Sequence, residues 1–572
     1  MAGGPAQAFS FILPSNERLG RSMRLQFYSV YAQDTYKAKS NLTLTYGLRW
    51  EYLAPPSETH GFIVNLYDPT PATSTAPQVG QFYNPSKRNF APRLGFNWDP
   101  FKKGKMSVRG GFGMFFNEIE DNAWFPGLAA QYPFTTSVSL VNSMTLPFQA
   151  SILNNAAAAG LAKPTFGSAI ELNPHTPTRY GYNLMVQQEL PDHITLLVGY
   201  VGAQQRHQGR QIQWQEYQPT AVESPGQLPM VNGVPIPGST INPNCTTAGQ
   251  ITCLYWAGAG LTNANVAGSV VGANGATAAT VPYATLCTAT ITRNCFVNNN
   301  WGNSISGILY DANSSYNSFQ MALERRMSPG LYVRFNYTLS ECMEDSADDL
   351  PASELNGGGA AWTPTYAHNA NRHRCSFQGL NSANLSLNYD LPFFRNAASR
   401  LTRTLVAGWQ FTSLTAISSG VPFDIRTGVN ESRALNNGNG NSHPDLVAGC
   451  TPQNMVNKGN VVNYFKLSCL SVPALGYLGD LPPLYLTGPA LVNTDMGLKK
   501  VFAMGEARSL QLGVDMFNAF NRTNFSVPTN TTAFLNVGST NAPNFVPNTT
   551  AGQITSTVTT SRQIQIGAKF VF

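Results

Sequence analysis

The sequence predicts an all-β fold, an antiparallel transmembrane β-barrel with long loops at one end. Three observations carry that prediction. Segments of roughly ten residues place apolar side chains at every second position. The connections between these segments alternate short and long, and the composition is poor in charge without being greasy. Successive side chains of a strand point to opposite faces, so a period of two gives one apolar and one polar face. A strand crossing a bilayer at a tilt of ~45° needs about 9–11 residues. Strands of soluble proteins typically run only about 5–6.

Composition narrows the class. The 572 residues show no obvious linker, which suits one large unit. Charged residues make up 12%, about half the ~25% usual in soluble domains. Hydrophobic residues reach 42%, aromatics 11%, and mean hydropathy is −0.16. Such a balance fits an apolar lipid face beside a polar lumen and polar loops. With no run of 18 apolar residues, the chain has no transmembrane-helix candidate. Its net charge of +6 comes without a basic tract, which argues against a nucleic-acid partner.

The expected strands, in order, are 25–37, 41–53, 89–98, 105–117, 178–190, 193–203, 314–327, 330–341, 376–391, 402–418, 491–502, 507–521 and 558–572. In the second, Leu42, Leu44, Tyr46, Leu48, Trp50 and Tyr52 alternate with Thr43, Thr45, Gly47, Arg49 and Glu51. In the fourth, Val108, Gly110, Phe112, Met114 and Phe116 alternate with Arg109, Gly111 and Gly113; these glycines lie inside a strand and suit curvature rather than phosphate binding. Leu331–Leu339, Leu385–Leu391 and Leu510–Met516 repeat the pattern. Links after the odd-numbered strands are short and carry turn chemistry, as in Asp99-Pro100-Phe101-Lys102-Lys103-Gly104, Pro191-Asp192 and Ser328-Pro329-Gly330. Links after the even-numbered strands are long: 54–88, 118–177, 204–313, 342–375, 419–490 and 522–557. Short turns on one side and long loops on the other are expected of a membrane barrel, with the turns periplasmic and the loops extracellular.

The last ten residues, QIQIGAKFVF, put Ile564, Ile566, Ala568, Phe570 and Phe572 on one face. Taken alone they also suit an edge strand of a soluble sandwich. A one-sided apolar strand ending on Phe resembles the C-terminal signature of Gram-negative outer-membrane barrels. That resemblance gives Phe570 and Phe572 the role of a signal to the barrel-assembly machinery. The last strand then runs toward the periplasm, and so does the first of thirteen alternating strands. A barrel with its N-terminus in the periplasm begins in the other direction, so at least one earlier strand is expected. Residues 1–24 are then expected in an extracellular loop. Met1–Gly20 also lacks the basic and apolar regions of a signal peptide.

Longer stretches resemble the C-terminal part of a TonB-dependent outer-membrane receptor of the Oar-like group. They are FYSVYAQDTYKAKSNLTLTYGLRWEYLAPPSE (Phe27–Glu58), NFAPRLGFNWDPF (Asn89–Phe101), NSFQMALERRMSPGLYVRFNYTLS (Asn317–Ser340), GWQFTSLTAISSGVPF (Gly408–Phe423) and LQLGVDMFNAFNRTNF (Leu510–Phe525). Such receptors have about 22 strands around a plug, so the resemblance implies a partial barrel of about 13 strands over 25–572. It further implies outer-membrane lipid as surroundings, an unidentified extracellular nutrient or surface ligand, and the TonB system as a partner reached only through an N-terminal plug that this sequence does not contain. Three functions stay open: a receptor/transporter for a large scarce nutrient (glycan, chelate or peptide), a surface adhesion protein binding through its loops, and a diffusion porin. Without the plug, the chain alone is not expected to transport.

Candidate site residues are few. Arg49, Glu51, Arg109, Arg334 and Asp515 lie opposite the apolar side of their strands. An Arg or Lys toward lipid costs about 2–4 kcal/mol at mid-bilayer, so these groups are expected in the lumen, forming cross-lumen ion pairs and plug contacts. Trp50, Tyr52, Trp98 and Trp409 suit interfacial belts. The eight cysteines fall in or beside loops, as Cys245 and Cys253, Cys287 and Cys295, Cys342 and Cys375, Cys450 and Cys469. Their even number suits disulfides in an oxidising compartment, with nearest-neighbour pairing one of 105 connectivities. His368, His373 and Cys375 have irregular spacing for a metal site. The acidic stretch within 341–354, with Glu341, Glu344, Asp345, Asp348 and Asp349, lacks the order of a calcium loop. No metal, cofactor or catalytic constellation is expected, and the chain reads as a non-enzyme.

Overall fold

The computed structural model describes residues 6–14, 22–66, 78–79, 82–119, 134–144, 162–164, 168–213, 219–222, 230–231, 234–235, 254–256, 306–325, 330–345, 372–377, 379–428, 443–473, 479–504, 508–537 and 545–572. Thirteen strands follow one another in chain order across a single antiparallel sheet. They are β1 (Phe27–Lys39), β2 (Leu42–Leu53), β3 (Asn89–Trp98), β4 (Met106–Phe116), β5 (Thr178–Leu190), β6 (Ile194–Gln213) and β7 (Ser306–Arg325). The path continues through β8 (Leu331–Glu344), β9 (Asn381–Asp390), β10 (Trp409–Ser418), β11 (Leu491–Ala503), β12 (Ser509–Phe517) and β13 (Gln563–Val571). All thirteen expected strands are present in the expected order. Among the described residues the sheet is open: β1 pairs with β2 and β13 with β12, but not with each other.

Register turns the separate patterns into one surface. Leu44 faces Phe96, Leu94 faces Phe112, and Leu184 faces Tyr200. The row continues through Tyr200–Phe319, Phe319–Leu339, Phe335–Leu385, Tyr389–Phe411, Phe411–Leu498, Leu498–Val514 and Val514–Ile566. Leu48, Phe90, Leu94, Phe112, Leu184, Tyr200, Phe319, Leu339, Leu385 and Ile566 are all exposed on this side. Apolar patches on soluble monomers rarely exceed about 600 Å². A band thirteen strands wide therefore needs an apolar solvent, and a bilayer supplies it. Gly110 lies within the band, where a Cβ would come 2.3 Å from the Phe96 ring. Glycine there lets the aromatic lie across the sheet.

The larger departures from the expected elements are three. β6 and β7 continue to Gln213 and back to Ser306, beyond the expected limits at 203 and 314. The added stretch of β6 is polar and reads as loop, yet it pairs with β7 through register shifts at Arg206/Gln208 and Gln208/Arg210. The strand expected over 402–418 is corrected: it begins at Trp409, and α1 (Arg400–Leu405) precedes it. Ser399 caps α1 by accepting from the Thr402 N–H, and residues 400–405 include Leu and Arg, which favour helix. Finally, Ala6–Pro14 pairs with Thr135–Met144 in a separate small sheet.

Every short connection among the described residues lies at one end of the sheet, together with Phe572. Two separate cores lie at the other end. One joins Ile63, Phe82, Tyr83, Ile119, Ile170, Ile308 and Tyr310. The other is built from the long connections after β10 and β12, with Phe423, Ile425, Met455, Phe465, Leu486 and Phe534 at its centre.

Candidate functional site

The larger core turns two loops into a folded cap. Pro422–Phe423 pairs with Leu486–Thr487, and Asp445–Leu446 pairs with Leu470–Ser471. The second loop is stitched on by backbone bonds from Ala533 N–H to the Arg426 carbonyl (2.7 Å), Ile554 N–H to Val461 (2.8 Å) and Tyr464 N–H to Gly552 (3.0 Å). A disulfide joins Cys450 to Cys469. Replacing both cysteines by serine removes a cross-link over 19 residues, which chain entropy values at about 3 kcal/mol. The cap of Cys450→Ser/Cys469→Ser is expected to open more often, seen as faster amide exchange at Leu470 with the strand amides unchanged.

Asp424 is the polar pivot inside the cap. Its carboxylate lies 2.8 Å from His443 Nε2 and 3.4 Å from Arg426 Nε, and it accepts from the Leu484 N–H at 3.4 Å. Asp424 and His443 are both buried. Burial alone would raise the Asp424 pKa, but the charge and hydrogen bond of His443, the Arg426 charge and the Leu484 N–H together hold it below the usual carboxylate value. A third loop is fastened by Arg374, whose guanidinium donates to Thr487 Oγ1 (2.9 Å) and to the carbonyls of Leu484 (2.9 Å) and Tyr485 (3.0 Å). The Cys342–Cys375 disulfide holds the strand end that carries this arginine.

Between the cap and the ends of β10 and β11 lies a cavity of about 580 Å³. Lys458 and Arg522 line it together with Gln453, Asn460, Tyr464 and Thr523, against an apolar wall of Val456, Val461, Phe525 and Ile554. Among the described residues no aspartate or glutamate lines it. The Tyr464 hydroxyl donates to the Thr487 carbonyl at 3.1 Å, and burial pushes its pKa up to about 12, so it stays protonated at neutral pH. Two cations, neutral donors and an apolar wall fit a ligand with an anionic group on an apolar body.

The smaller core has its own polar centre. Asn65 donates to the carbonyls of Phe82 (2.6 Å) and Ile170 (2.7 Å) and accepts from the Ile170 N–H (3.0 Å). Glu58 accepts from the N–H groups of His60 (2.7 Å), Phe62 (2.9 Å) and Ser22 (3.0 Å). Burial would raise its pKa, but these donors and the His60 ring outweigh that and bring it down to about 2. A depressed carboxylate stabilises the fold fully above its unfolded pKa. This loop should therefore keep its structure from neutral pH to about pH 4.3 and loosen as pH falls toward about 2. Exchange of the Phe62 amide measured down that range checks the window; flat exchange below pH 4 would contradict it.

The sequence-derived charged residues occupy the face opposite the apolar band but are not gathered into one site. Arg49 donates to its own-strand neighbour Glu51. Arg109 donates to Ser107 (3.0 Å), Arg334 to Asn336 (3.3 Å), and Asp515 pairs with Lys499 on the next strand at 3.3 Å. Among the described residues their partners lie on the same or the adjacent strand. Side chains two apart on a strand share a face and meet without spanning a lumen. Cys375 is a disulfide partner, which removes it as a metal thiolate, while His373 is buried and His368 lies outside the described residues. Cys245, Cys253, Cys287, Cys295, Asp348 and Asp349 also lie outside them. Asp345 accepts from the Asn313 N–H, and Glu341 and Glu344 belong to β8. Among the described residues no group of three or more His, Cys, Asp or Glu is arranged to hold a metal ion.

Asp424, His443, Arg374 and the cavity carry no motif in the sequence. One signal was present: Asp424 is a lone carboxylate between Phe423 and Ile425, six residues after an expected strand. A charge flanked by bulky apolar residues is either misplaced or paired.

Residues 8–565 match a family described as an outer membrane beta barrel domain. No curated protein matches the chain. Among solved structures, the outer membrane transporter YddB from Escherichia coli is similar at 9% identity and a TM-score of 0.38, over 87% of this chain and 42% of that one. The FrpB iron transporter from Neisseria meningitidis follows at 9% and 0.36, over 95% and 46%. The siderophore receptor PiuA from Acinetobacter baumannii gives 10% and 0.37, over 96% and 43%. The chain spans less than half the length of each of these structures.

Proposed function

Because the chain belongs to the outer membrane beta barrel domain family and so resides in the Gram-negative outer membrane, we propose that it is the barrel part of a receptor/transporter whose cap captures a large scarce nutrient. The single observation that supports this reading is the cavity at the loop end, built from two loops with their own hydrophobic core. A diffusion pore has no use for a packed, disulfide-linked cap over its loops. The proposed ligand is a glycan, chelate or peptide carrying an anionic group, held by Lys458 and Arg522. The charged groups on the polar face, Arg49, Glu51, Arg109, Arg334 and Asp515, would then line the passage below. Energy for uptake would come from the TonB system acting through a plug.

The test is uptake by cells with an energised inner membrane that express the protein joined to an N-terminal plug domain. Fluorescent acidic glycans, ferric chelates and acidic peptides are offered with and without a protonophore. The proposal expects surface binding that survives the protonophore, accumulation that does not, and loss of both in Lys458→Ala/Arg522→Ala. Entry indifferent to the protonophore and to those substitutions would indicate a porin. Binding with no accumulation in any condition would indicate an adhesion protein.

A further inference from the structure

The connection between β9 and β10, residues 391–408, lies at the short-turn end and is far longer than a turn needs. Hairpins at that end close over residues 40–41 and 191–193. Here the chain instead lays out Phe393, Phe394 and then α1. Phe393 is 58% exposed, Phe394 56%, Leu401 69% and Leu405 51%. Leu401 and Leu405 are one helical turn apart and share a face of α1, while Arg400 and Arg403 fall on the opposite face. Arg395 precedes them, and 391–408 contains no aspartate or glutamate. The nearest carboxylate in sequence, Asp390, accepts from Gln410 at 2.9 Å on the polar side of the sheet.

Contacts direct this segment toward the bilayer side. The Trp409 indole donates to the Leu405 carbonyl at 3.2 Å. Lys500, opposite Trp409 in the register, donates to the Ala407 carbonyl and lies 5.7 Å from the Trp409 ring and 5.0 Å from the Phe502 ring. Trp409 and Lys500 belong to the same side of the sheet as Phe411, Leu498 and Val514. The exposed apolar side chains of 393–406 thus continue the lipid-facing band at its short-turn rim. A short amphipathic helix with arginines on its polar face suits the headgroup boundary.

We propose that residues 393–406 form an interfacial anchor that takes anionic glycerophospholipid from the periplasmic leaflet, with Phe393, Phe394, Leu401 and Leu405 among the acyl chains and Arg395, Arg400 and Arg403 on the headgroup phosphates. Continuity with the membrane face supplies the apolar half of the site, and the positive charge of a segment that itself contains no aspartate or glutamate selects the headgroup. Each basic residue near an anionic surface raises partitioning about fivefold, so three give about a hundredfold.

The test uses the full chain in nanodiscs of phosphatidylcholine alone and of phosphatidylcholine with phosphatidylglycerol, read by amide exchange over 393–406 and by lipid retained in native mass spectrometry. The expected result is slower exchange and retained phosphatidylglycerol in the mixed discs, both lost in Arg395→Gln/Arg400→Gln/Arg403→Gln and at high salt. Identical exchange in the two kinds of disc, with no phosphatidylglycerol retained, would overturn the proposal. So would a segment that stays unprotected in both discs and becomes protected only on adding periplasmic extract, which would make the partner a protein. If the triple variant does not fold, the comparison of the two lipids on the unaltered chain still decides.

Discussion

Asp424→Ala is expected to unlatch the cap while leaving the sheet assembled. The substitution removes the carboxylate that His443 and Arg426 share inside the fold. Removing this buried acceptor costs about 1–3 kcal/mol, because His443 Nε2 loses the oxygen it meets at 2.8 Å inside the fold. Leu484 also loses its side-chain acceptor. Amide exchange through 481–487 should therefore accelerate roughly 10- to 10²-fold, whereas amides of β4 and β5 stay slow. Acid should act in the same direction. With its pKa held below the usual value, Asp424 stabilises the cap at all pH values above its unfolded pKa of about 3.9, and the contribution disappears as pH falls through the lower folded value. Exchange in 481–487 that matched the unaltered protein would mean the pair does not hold the cap.

Val514→Arg is expected to block insertion, whereas Gln565→Arg, at the same depth on the neighbouring strand, is tolerated. Val514 lies between Leu498 and Ile566 in the apolar row, and Gln565 lies opposite Asp515 on the other face. Arginine toward lipid near mid-bilayer costs about 2–4 kcal/mol. The same side chain toward the polar face gains a carboxylate neighbour. Refolding into vesicles, followed by heat-modifiable gel mobility, separates the two. Equal folding of both variants would contradict the face assignment.

The strands were legible because a period of two leaves its mark in sequence regardless of partners. Leu42–Tyr52 and Leu510–Met516 have the same alternation whether or not their neighbours are known, and their boundaries moved by only a few residues. The ends of β6 and β7 were not legible, since Gln204, Gln205, Arg206 and Gln208 pair outside the bilayer without an apolar face to advertise it. The sequence of α1 reads as strand because Leu401, Leu405 and Val406 are apolar, and only the Ser399 cap distinguishes the helix. The cap was least legible. Phe423, Met455, Phe465 and Phe534 have no common spacing, and they meet only when the two loops on either side of the β11–β12 hairpin are brought together. Asp424 is paired with a histidine 19 residues away, a relation no periodicity encodes. Cys342–Cys375 and Cys450–Cys469 were legible as neighbours, since each pair closes a single loop.

The central claim is that the sheet crosses the outer membrane with the folded cap outside and the short turns inside. Epitopes inserted after Gly449 and after Lys103 test it most directly, since Gly449 and Gly104 are turn positions of positive φ with open space around them. In intact cells the Gly449 epitope should bind antibody, and the Lys103 epitope should do so only after the outer membrane is permeabilised. Labelling of the Lys103 epitope in intact cells, or of both epitopes only in a soluble fraction, would contradict the account.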